Sequence, residues 1–168
     1  MLLPREHGTY GEVLFPLVSA LILGTPNPGV WGLVAVTLGG YLAHEGVIVL
    51  SGWRGPRAAR EQRGLAWRSV AVFGGLALMG AAVAAPSLTR DAWVAAAAVA
   101  AASLVALGNA VRGAEHSLGG EVLAAIVLPA WAVPAGLQGG MAWAEVLPIW
   151  GAWVAGYVGA TGVVHVII

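Results

Sequence analysis

The chain has 168 residues, of which 59% are hydrophobic and only 10% are charged, and its mean hydropathy is +0.83. A soluble domain carries about 25% charged residues, so this composition excludes a water-soluble globule. Eight acidic residues balance eight arginines, and no lysine is present, which argues against nucleic acid as a partner. Because cysteine is absent, disulfides and thiolate-ligated metal centres are excluded. The composition predicts an integral membrane protein.

Six apolar stretches meet or approach the roughly 20 residues that a transmembrane helix needs. The predicted spans cover residues 10–25, 29–51, 67–86, 92–111, 119–137 and 145–168. The first is shorter than the others and contains Glu12 and Pro16. We therefore expect an all-α fold, a polytopic transmembrane helix bundle of about six spans that forms a single domain over residues 1–168.

Arginine predicts the orientation of these spans. Residues 52–68 hold five arginines and one acid, Glu61, and the positive-inside rule places such a short segment in the cytoplasm. With six spans, the N- and C-termini are then also expected to be cytoplasmic. The arginines of this segment suit a solvated helix that sets topology. Alternatively, Arg57 and Arg60 bind anionic headgroups or a diphosphate, because guanidinium groups match phosphate oxygens.

Ionisable residues within or beside membrane spans are costly and therefore indicate functional sites. Glutamate and histidine are sequence neighbours three times, and all three pairs fall on the predicted cytoplasmic side. We predict that these side chains meet in one ligand-binding site. Its candidate residues are Glu6, His7, Glu12, His44, Glu45, Arg57, Arg60, Glu115, His116 and Glu121.

The chemistry of this site stays open at the level of sequence. Neutral imidazole and carboxylate could bind a divalent metal, with His44, Glu45, His116 and Glu121 as candidate ligands. The same groups could relay protons or hold a polar ligand. Simple solvation or helix capping is a further alternative, notably for Glu121 in the first turn of its helix. No residue is assigned a catalytic role.

The stretch Pro4-Arg5-Glu6-His7-Gly8-Thr9-Tyr10-Gly11, which leads directly into a hydrophobic span, resembles the start of the YwiC-like membrane protein family. Residues 42–57 and 108–121 extend the resemblance over essentially the whole chain. It implies a multi-pass protein of the bacterial cytoplasmic (inner) membrane whose biochemical role is not established. Family members are typically longer, so we expect that C-terminal spans of the full family length are missing here.

More distantly, the layout is similar to that of the UbiA-type membrane prenyltransferases, whose polar site lies at the cytoplasmic ends of the second and fifth spans. That family has two aspartate-rich motifs that hold Mg²⁺ and a prenyl diphosphate. By the resemblance, the first motif corresponds here to His44-Glu45, and the second to Glu115-His116 with Glu121. This chain departs from the pattern, because its only aspartate, Asp91, lies on the opposite side.

Three functions are compatible with the sequence. The leading hypothesis is an intramembrane pocket of Glu, His and Arg residues, open to the cytoplasm, that binds a lipid-like or anionic ligand. The second is a non-enzymatic accessory subunit that contacts other membrane-protein subunits through glycine-lined helix faces. The third is UbiA-like prenyl transfer or proton-coupled transport of a small solute. Membrane lipids are expected partners in every case, and whether the protein is an enzyme stays open.

Overall fold

A computed structural model describes residues 1–4, 7–114 and 117–167; for His7 and residues 164–167 it describes the backbone alone. These residues form eight helices and no strand, which confirms the all-α prediction. The helices are α1 (His7–Leu23), α2 (Pro28–Leu50), α3 (Pro56–Glu61), α4 (Arg63–Ala84), α5 (Arg90–Val111), α6 (Leu118–Ala130), α7 (Ala132–Gln138) and α8 (Trp143–Ile167).

Five segments are long and apolar enough to cross a membrane: α2, α4, α5, α6 together with α7, and residues 143–163 of α8. Helix α1 is apolar but shorter. About six spans are therefore consistent with the structure, and the protein is a multi-pass membrane protein. The short helix α3 lies between the second and third of the predicted spans, inside the arginine-rich segment.

The predicted fifth span, 119–137, is two helices and not one. The helical hydrogen-bond pattern is interrupted at the single residue Trp131, whose dihedral angles (φ −64°, ψ −17°) stay in the right-handed helical region. The physical cause is Pro134, which has no N–H to donate to the carbonyl of Ala130, four residues earlier. A broken helix at membrane depth is tolerated where the freed backbone is buried in protein or lines a cavity.

Helices α2 and α4 run antiparallel and pack against each other along their length through small residues. A Cβ atom added at Gly32 would lie 2.6 Å from the carbonyl oxygen of Gly80, and one added at Gly39 would lie 2.6 Å from that of Phe73. One added at Gly46 would lie 2.9 Å from the carbonyl oxygen of Ala66. The three glycines of α2 recur every seven residues, so they form one stripe that lets the two backbones touch. We call this contact the glycine seam.

Several other glycines of the helices have no such neighbour within the described chain. A Cβ added at Gly74 or Gly75 in α4, or at any of four glycines in α8, would have no atom within 4 Å. The four in α8 are Gly151, Gly156, Gly159 and Gly162.

Polar side chains join three loops at the end of the bundle opposite α3. The Gln138 side chain donates to the carbonyl of Ser87 (3.0 Å) and to the side chain of Asn27 (3.3 Å), and its amide oxygen accepts from the N–H of Thr89 (2.9 Å). The Asn27 amide in turn donates to the carbonyl of Gln138 (2.9 Å). We call this set the polar clasp. It ties α2, α4, α5 and α7 together at one end.

At the other end, which carries α3 and most of the arginines, the helices diverge. Among the described helices, α4 contacts α2 and α3 but not α5, whereas α5 contacts α6, α7 and α2. Among the described helices α4 therefore packs only on α2 and α3, whereas α2 also contacts α1. A cavity lined by residues of both α4 and α5 lies in this region, and Arg54 lines it at the arginine-rich end.

Candidate functional site

The cavity has a volume of about 760 Å³ and is lined by residues of α1, α2, α4, α5, α6 and α8. This size falls within the range of small-molecule binding sites. Its walls change character with depth. Charged and polar side chains line the arginine-rich end, and the deeper walls are formed mainly by apolar residues such as Ala77, Ala100, Leu104, Val127 and Leu128.

Four of the residues predicted from sequence line this one cavity. Glu12 comes from the first turns of α1, His44 and Glu45 from the last turns of α2, and Glu121 from the first turn of α6. These residues are far apart in sequence, and the topology brings them together because α1 and α6 begin at the end where α2 finishes. Glu45 is 2% exposed, so its carboxylate is not solvated in the way expected for a residue at a helix end.

Glu45 forms a two-pronged ion pair with Arg54. The Arg54 Nε and Nη2 atoms donate to the two carboxylate oxygens at 3.2 and 3.0 Å. A paired guanidinium is what makes burial of this carboxylate tolerable, because an isolated charge would be strongly disfavoured there. Arg54 also lines the cavity, and its side chain keeps 23% of its exposure. The pair therefore lies at the junction of the cavity and its mouth.

Arg54 was not among the predicted site residues. The loop that carries Arg54 turns back toward α2. Two glycines with positive φ angles, Gly52 (φ +83°) and Gly55 (φ +93°), form this turn. Residues with a side chain rarely adopt such angles. In the sequence, Gly52 and Gly55 enclose Trp53 and Arg54 directly after α2, but the turn that they form is seen only in the structure.

Arg57 and Arg60, the predicted anion contacts, lie on α3 and are not among the residues that line the cavity. The Arg57 Nε donates to Glu61 at 2.8 Å, and 86% of the Arg57 side chain is exposed. Arg60 is exposed as well. Arg57 and Arg60 therefore lie on a solvent-exposed helix, in surroundings that match the first interpretation of this segment and not the anion site that was its alternative.

Thr9, Tyr10 and Tyr41 form a second set of contacts at the mouth of the cavity. Thr9 and Tyr41, which both line the cavity, are joined by a hydrogen bond between their side-chain oxygens. The ring of Tyr10 meets that of Tyr41 edge-on, with centroids 5.2 Å apart, and its hydroxyl donates to the carbonyl of Pro4 (3.1 Å). These contacts hold the start of α1 against α2 and were not anticipated from the sequence.

The deep end of the cavity has a small polar group next to the break between α6 and α7. The Trp131 indole donates to the Ser103 hydroxyl at 3.1 Å, and that hydroxyl donates to the carbonyl of Val99. The Thr37 hydroxyl donates to the carbonyl of Leu33, four residues earlier in α2. All three side chains line the cavity, so the broken helix borders the cavity at depth.

The remaining candidates fall outside what can be described. Glu6, Glu115 and His116 lie outside the described residues, and so does the side chain of His7. Over 1–4, 7–114 and 117–167 no group of three His, Asp or Glu side chains is placed to hold a metal ion. Three of the four predicted metal ligands thus share a cavity without forming a metal-binding trio, and the fourth, His116, is not described.

No curated protein and no solved structure matches the chain. A protein-family model does: the model described as YwiC-like protein matches residues 3–136. The match spans α1 to α6 and most of α7, and with them every helix that lines the cavity except α8. The chain therefore belongs to the YwiC-like protein family, as the opening motif and the two Glu-His stretches suggested.

Proposed function

We propose that this protein is a binding protein of the bacterial inner membrane whose cavity, open to the cytoplasm, holds a lipid-like ligand. The observation that carries the proposal is that Glu12, His44, Glu45 and Glu121, from three separate helices, line one cavity. Ionisable residues inside membrane segments are rare and usually serve a substrate or ion pathway. The cytoplasmic orientation rests on the arginines near α3 and the positive-inside rule.

The two zones of the cavity favour an amphipathic ligand. Charged groups are concentrated near Glu45, whereas the wall at Val36 and Ala77 is apolar. At a rise of 1.5 Å per residue, the nine residues from Val36 to Glu45 correspond to a depth of about 13 Å. A polar head at the mouth and an alkyl chain in the depth would satisfy both zones.

An anionic ligand, the other class suggested by the sequence, has weaker support. That suggestion relied on Arg57 and Arg60, and neither residue lines the cavity. Metal-dependent prenyl transfer has no described trio of ligands to support it. We therefore place the lipid-like ligand first and assign no catalytic step.

Photo-crosslinking in proteoliposomes tests the proposal. A dodecyl alcohol that carries a diazirine on its chain should label the cavity walls of the wild type in a saturable manner, as mapped by mass spectrometry. Ala100→Trp, which projects into the cavity, should abolish that labelling. The matched control is Ala101→Trp, because Ala101 is exposed on α5 and does not line the cavity. Labelling that persists in Ala100→Trp, or that never saturates, would count against a ligand site.

A transporter is a second candidate, favoured by the interrupted hydrogen-bond pattern at Trp131 beside the cavity. Secondary transporters commonly form their sites from discontinuous helices near the bilayer midplane, and α6 and α7 meet at Trp131, which lines the cavity. A cysteine at Ala124, in the cavity wall, distinguishes the two candidates because the chain has no other cysteine. A binding protein exposes this cysteine to an impermeant maleimide from one membrane side only, whereas a transporter exposes it from both.

An accessory subunit is a third candidate, favoured by α8. Its exposed small residues include Ala155, Gly156 and Gly159, and the membrane-spanning part of α8 is the least buried of the five spans. Small residues allow close approach of a partner helix. A photoreactive residue at Ala155 should then crosslink a second membrane protein in native membranes. Crosslinks to lipid alone would remove this candidate.

A further inference from the structure

We propose that residues 1–4 form a movable strap over the cavity, and that release of this strap from α4 opens the cavity at the arginine-rich end. The inference concerns access to the cavity, and it does not depend on which ligand the cavity holds. Three observations carry it. The strap forms part of the cavity wall, it spans a gap between two helices, and hydrogen bonds to side chains of those helices hold it in place.

The strap supplies a part of the cavity wall that belongs to no helix. Pro4 is buried and lines the cavity. Leu3 is 54% exposed and Met1 is 62% exposed, and neither residue lines the cavity, so both face the outside of the bundle. The strap thus faces the cavity at Pro4 and the exterior at Leu3. Its displacement would remove a layer of the wall that is one chain thick.

Hydrogen bonds attach the strap to α4 on one side and to α1 on the other. The N–H of Leu2 donates to the hydroxyl of Ser69 in α4 at 2.6 Å, and that hydroxyl donates to the carbonyl of Leu2 at 3.3 Å. The hydroxyl of Tyr10 in α1 donates to the carbonyl of Pro4 at 3.1 Å. Among the described helices, α1 and α4 do not contact each other. The strap therefore bridges a gap between them at the end where both helices begin.

The hydroxyl of Ser69 serves the strap and not its own helix. Hydroxyl groups within helices commonly donate to the carbonyl four residues earlier. Ser19 in α1, Thr37 in α2 and Ser103 in α5 all do so. Ser69 instead donates to Leu2, and its side chain is fully buried, at 0% exposure. This departure from the pattern of the other helices identifies Ser69 as the anchor of the strap.

The strap can leave Ser69 without unfolding a helix. Residues 1–4 form neither helix nor strand, and the net contribution of an ordinary hydrogen bond to stability is modest. Segments held in this way open locally at a free energy well below that of global unfolding. The packing of α4 on α2 through the glycine seam does not involve the strap. A closed and an open form therefore differ mainly in the position of residues 1–4.

A single cysteine in the cavity wall reports on the strap without any ligand. Ala124 lines the cavity, and the native chain has no cysteine. In Ala124→Cys, the rate of modification by a membrane-impermeant maleimide is measured in vesicles, with the reagent on the side that carries α3. Arg57→Cys identifies that side, since Arg57 is 86% exposed on α3. We expect Ser69→Ala to raise the rate at position 124 roughly thirtyfold, the change in open population for loss of two ordinary hydrogen bonds.

Two control variants leave the strap attached. Ser51→Ala also removes a serine hydroxyl at the arginine-rich end, but that hydroxyl donates to the carbonyl of Ile48 in α2. Leu3→Ala shortens an exposed side chain of the strap and keeps the backbone groups that Ser69 binds. Both variants should show the wild-type rate at position 124, because neither removes a hydrogen bond between the strap and α4.

Deletion of residues 2 and 3 tests the strap in a second way, in case Ser69→Ala disturbs folding. It removes the backbone groups that Ser69 binds and shortens the strap by about 7 Å, so it should raise the rate at position 124 at least as much. A wild-type rate in either variant overturns the strap. An equal rise at Ala92→Cys, which is buried outside the cavity, would show general unfolding and also overturn it. Because no ligand is added, these outcomes are independent of the proposed lipid-like ligand.

Discussion

The glycine seam between α2 and α4 gives the sharpest structural prediction. In Gly39→Ala the new Cβ would lie 2.6 Å from the carbonyl oxygen of Phe73 and 2.7 Å from the N–H nitrogen of Ala77. Both neighbours are backbone atoms, so neither can rotate away. Ordinary van der Waals contact starts at 3.4 Å, and the first contact is therefore 0.8 Å too short. One methyl group forces the two helices apart.

We expect this substitution to cost about 1–3 kcal/mol of stability, the usual range for an overpacked contact. That corresponds to roughly a five- to 150-fold change in the folding equilibrium, and the assay is unfolding of the detergent-solubilised protein followed by circular dichroism. Gly32→Ala should behave in the same way, because its contact with Gly80 has the same length. Gly46→Ala should cost less, since its contact with Ala66 is longer, at 2.9 Å.

The matched control is Gly75→Ala in α4, where an added Cβ meets no atom within 4 Å. This variant should unfold like the wild type or slightly later, because alanine favours helix more than glycine does. If Gly39→Ala and Gly75→Ala unfold alike, the two backbones do not touch at this seam, and the explanation of how α2 and α4 pair is refuted.

Three further predictions concern polar contacts. Arg54→Gln should destabilise the protein by about 3 kcal/mol, the lower end of the range for a buried pair, because Arg54 keeps some exposure. A double-mutant cycle with Glu45→Gln should show a favourable coupling energy between the two side chains. Additive effects of the two substitutions would contradict the pairing. Gln138→Leu should cost about 3 kcal/mol, since it removes three hydrogen bonds of about 1 kcal/mol each from the polar clasp. In the same unfolding assay Arg57→Gln should change stability by less than about 0.5 kcal/mol, because its pair with Glu61 is exposed.

The length of the apolar stretches predicted the helices well, because a membrane span must satisfy its backbone hydrogen bonds internally and therefore forms a long apolar run. The break at Trp131 was not predictable in this way. Pro16 and Pro148 lie inside α1 and α8 without ending either helix, whereas the helix is interrupted just before Pro134. Whether a proline interrupts a helix depends on whether neighbouring helices offer hydrogen-bond partners to the backbone groups that the proline leaves without one. That depends on tertiary packing, which the local sequence does not reveal.

The candidate site was predictable in part, for a related reason. An acid or a histidine within an apolar run stands out by its cost, and this identified Glu12, His44, Glu45 and Glu121 before their shared cavity was known. The arginines near α3 offer no such contrast, since all five lie in one polar segment. Only the backbone conformation at Gly52 and Gly55 distinguishes Arg54, which turns back to Glu45, from the exposed Arg57.

Protection of a cysteine by a ligand is the most direct test of whether the cavity is a ligand site. Because the native chain has no cysteine, Ala124→Cys places a single thiol in the cavity wall and Ala101→Cys places one on the exposed face of α5. Saturating dodecanol should slow maleimide modification at position 124 at least tenfold and leave position 101 unaffected. Equal modification rates at position 124 with and without this amphiphile would contradict the account.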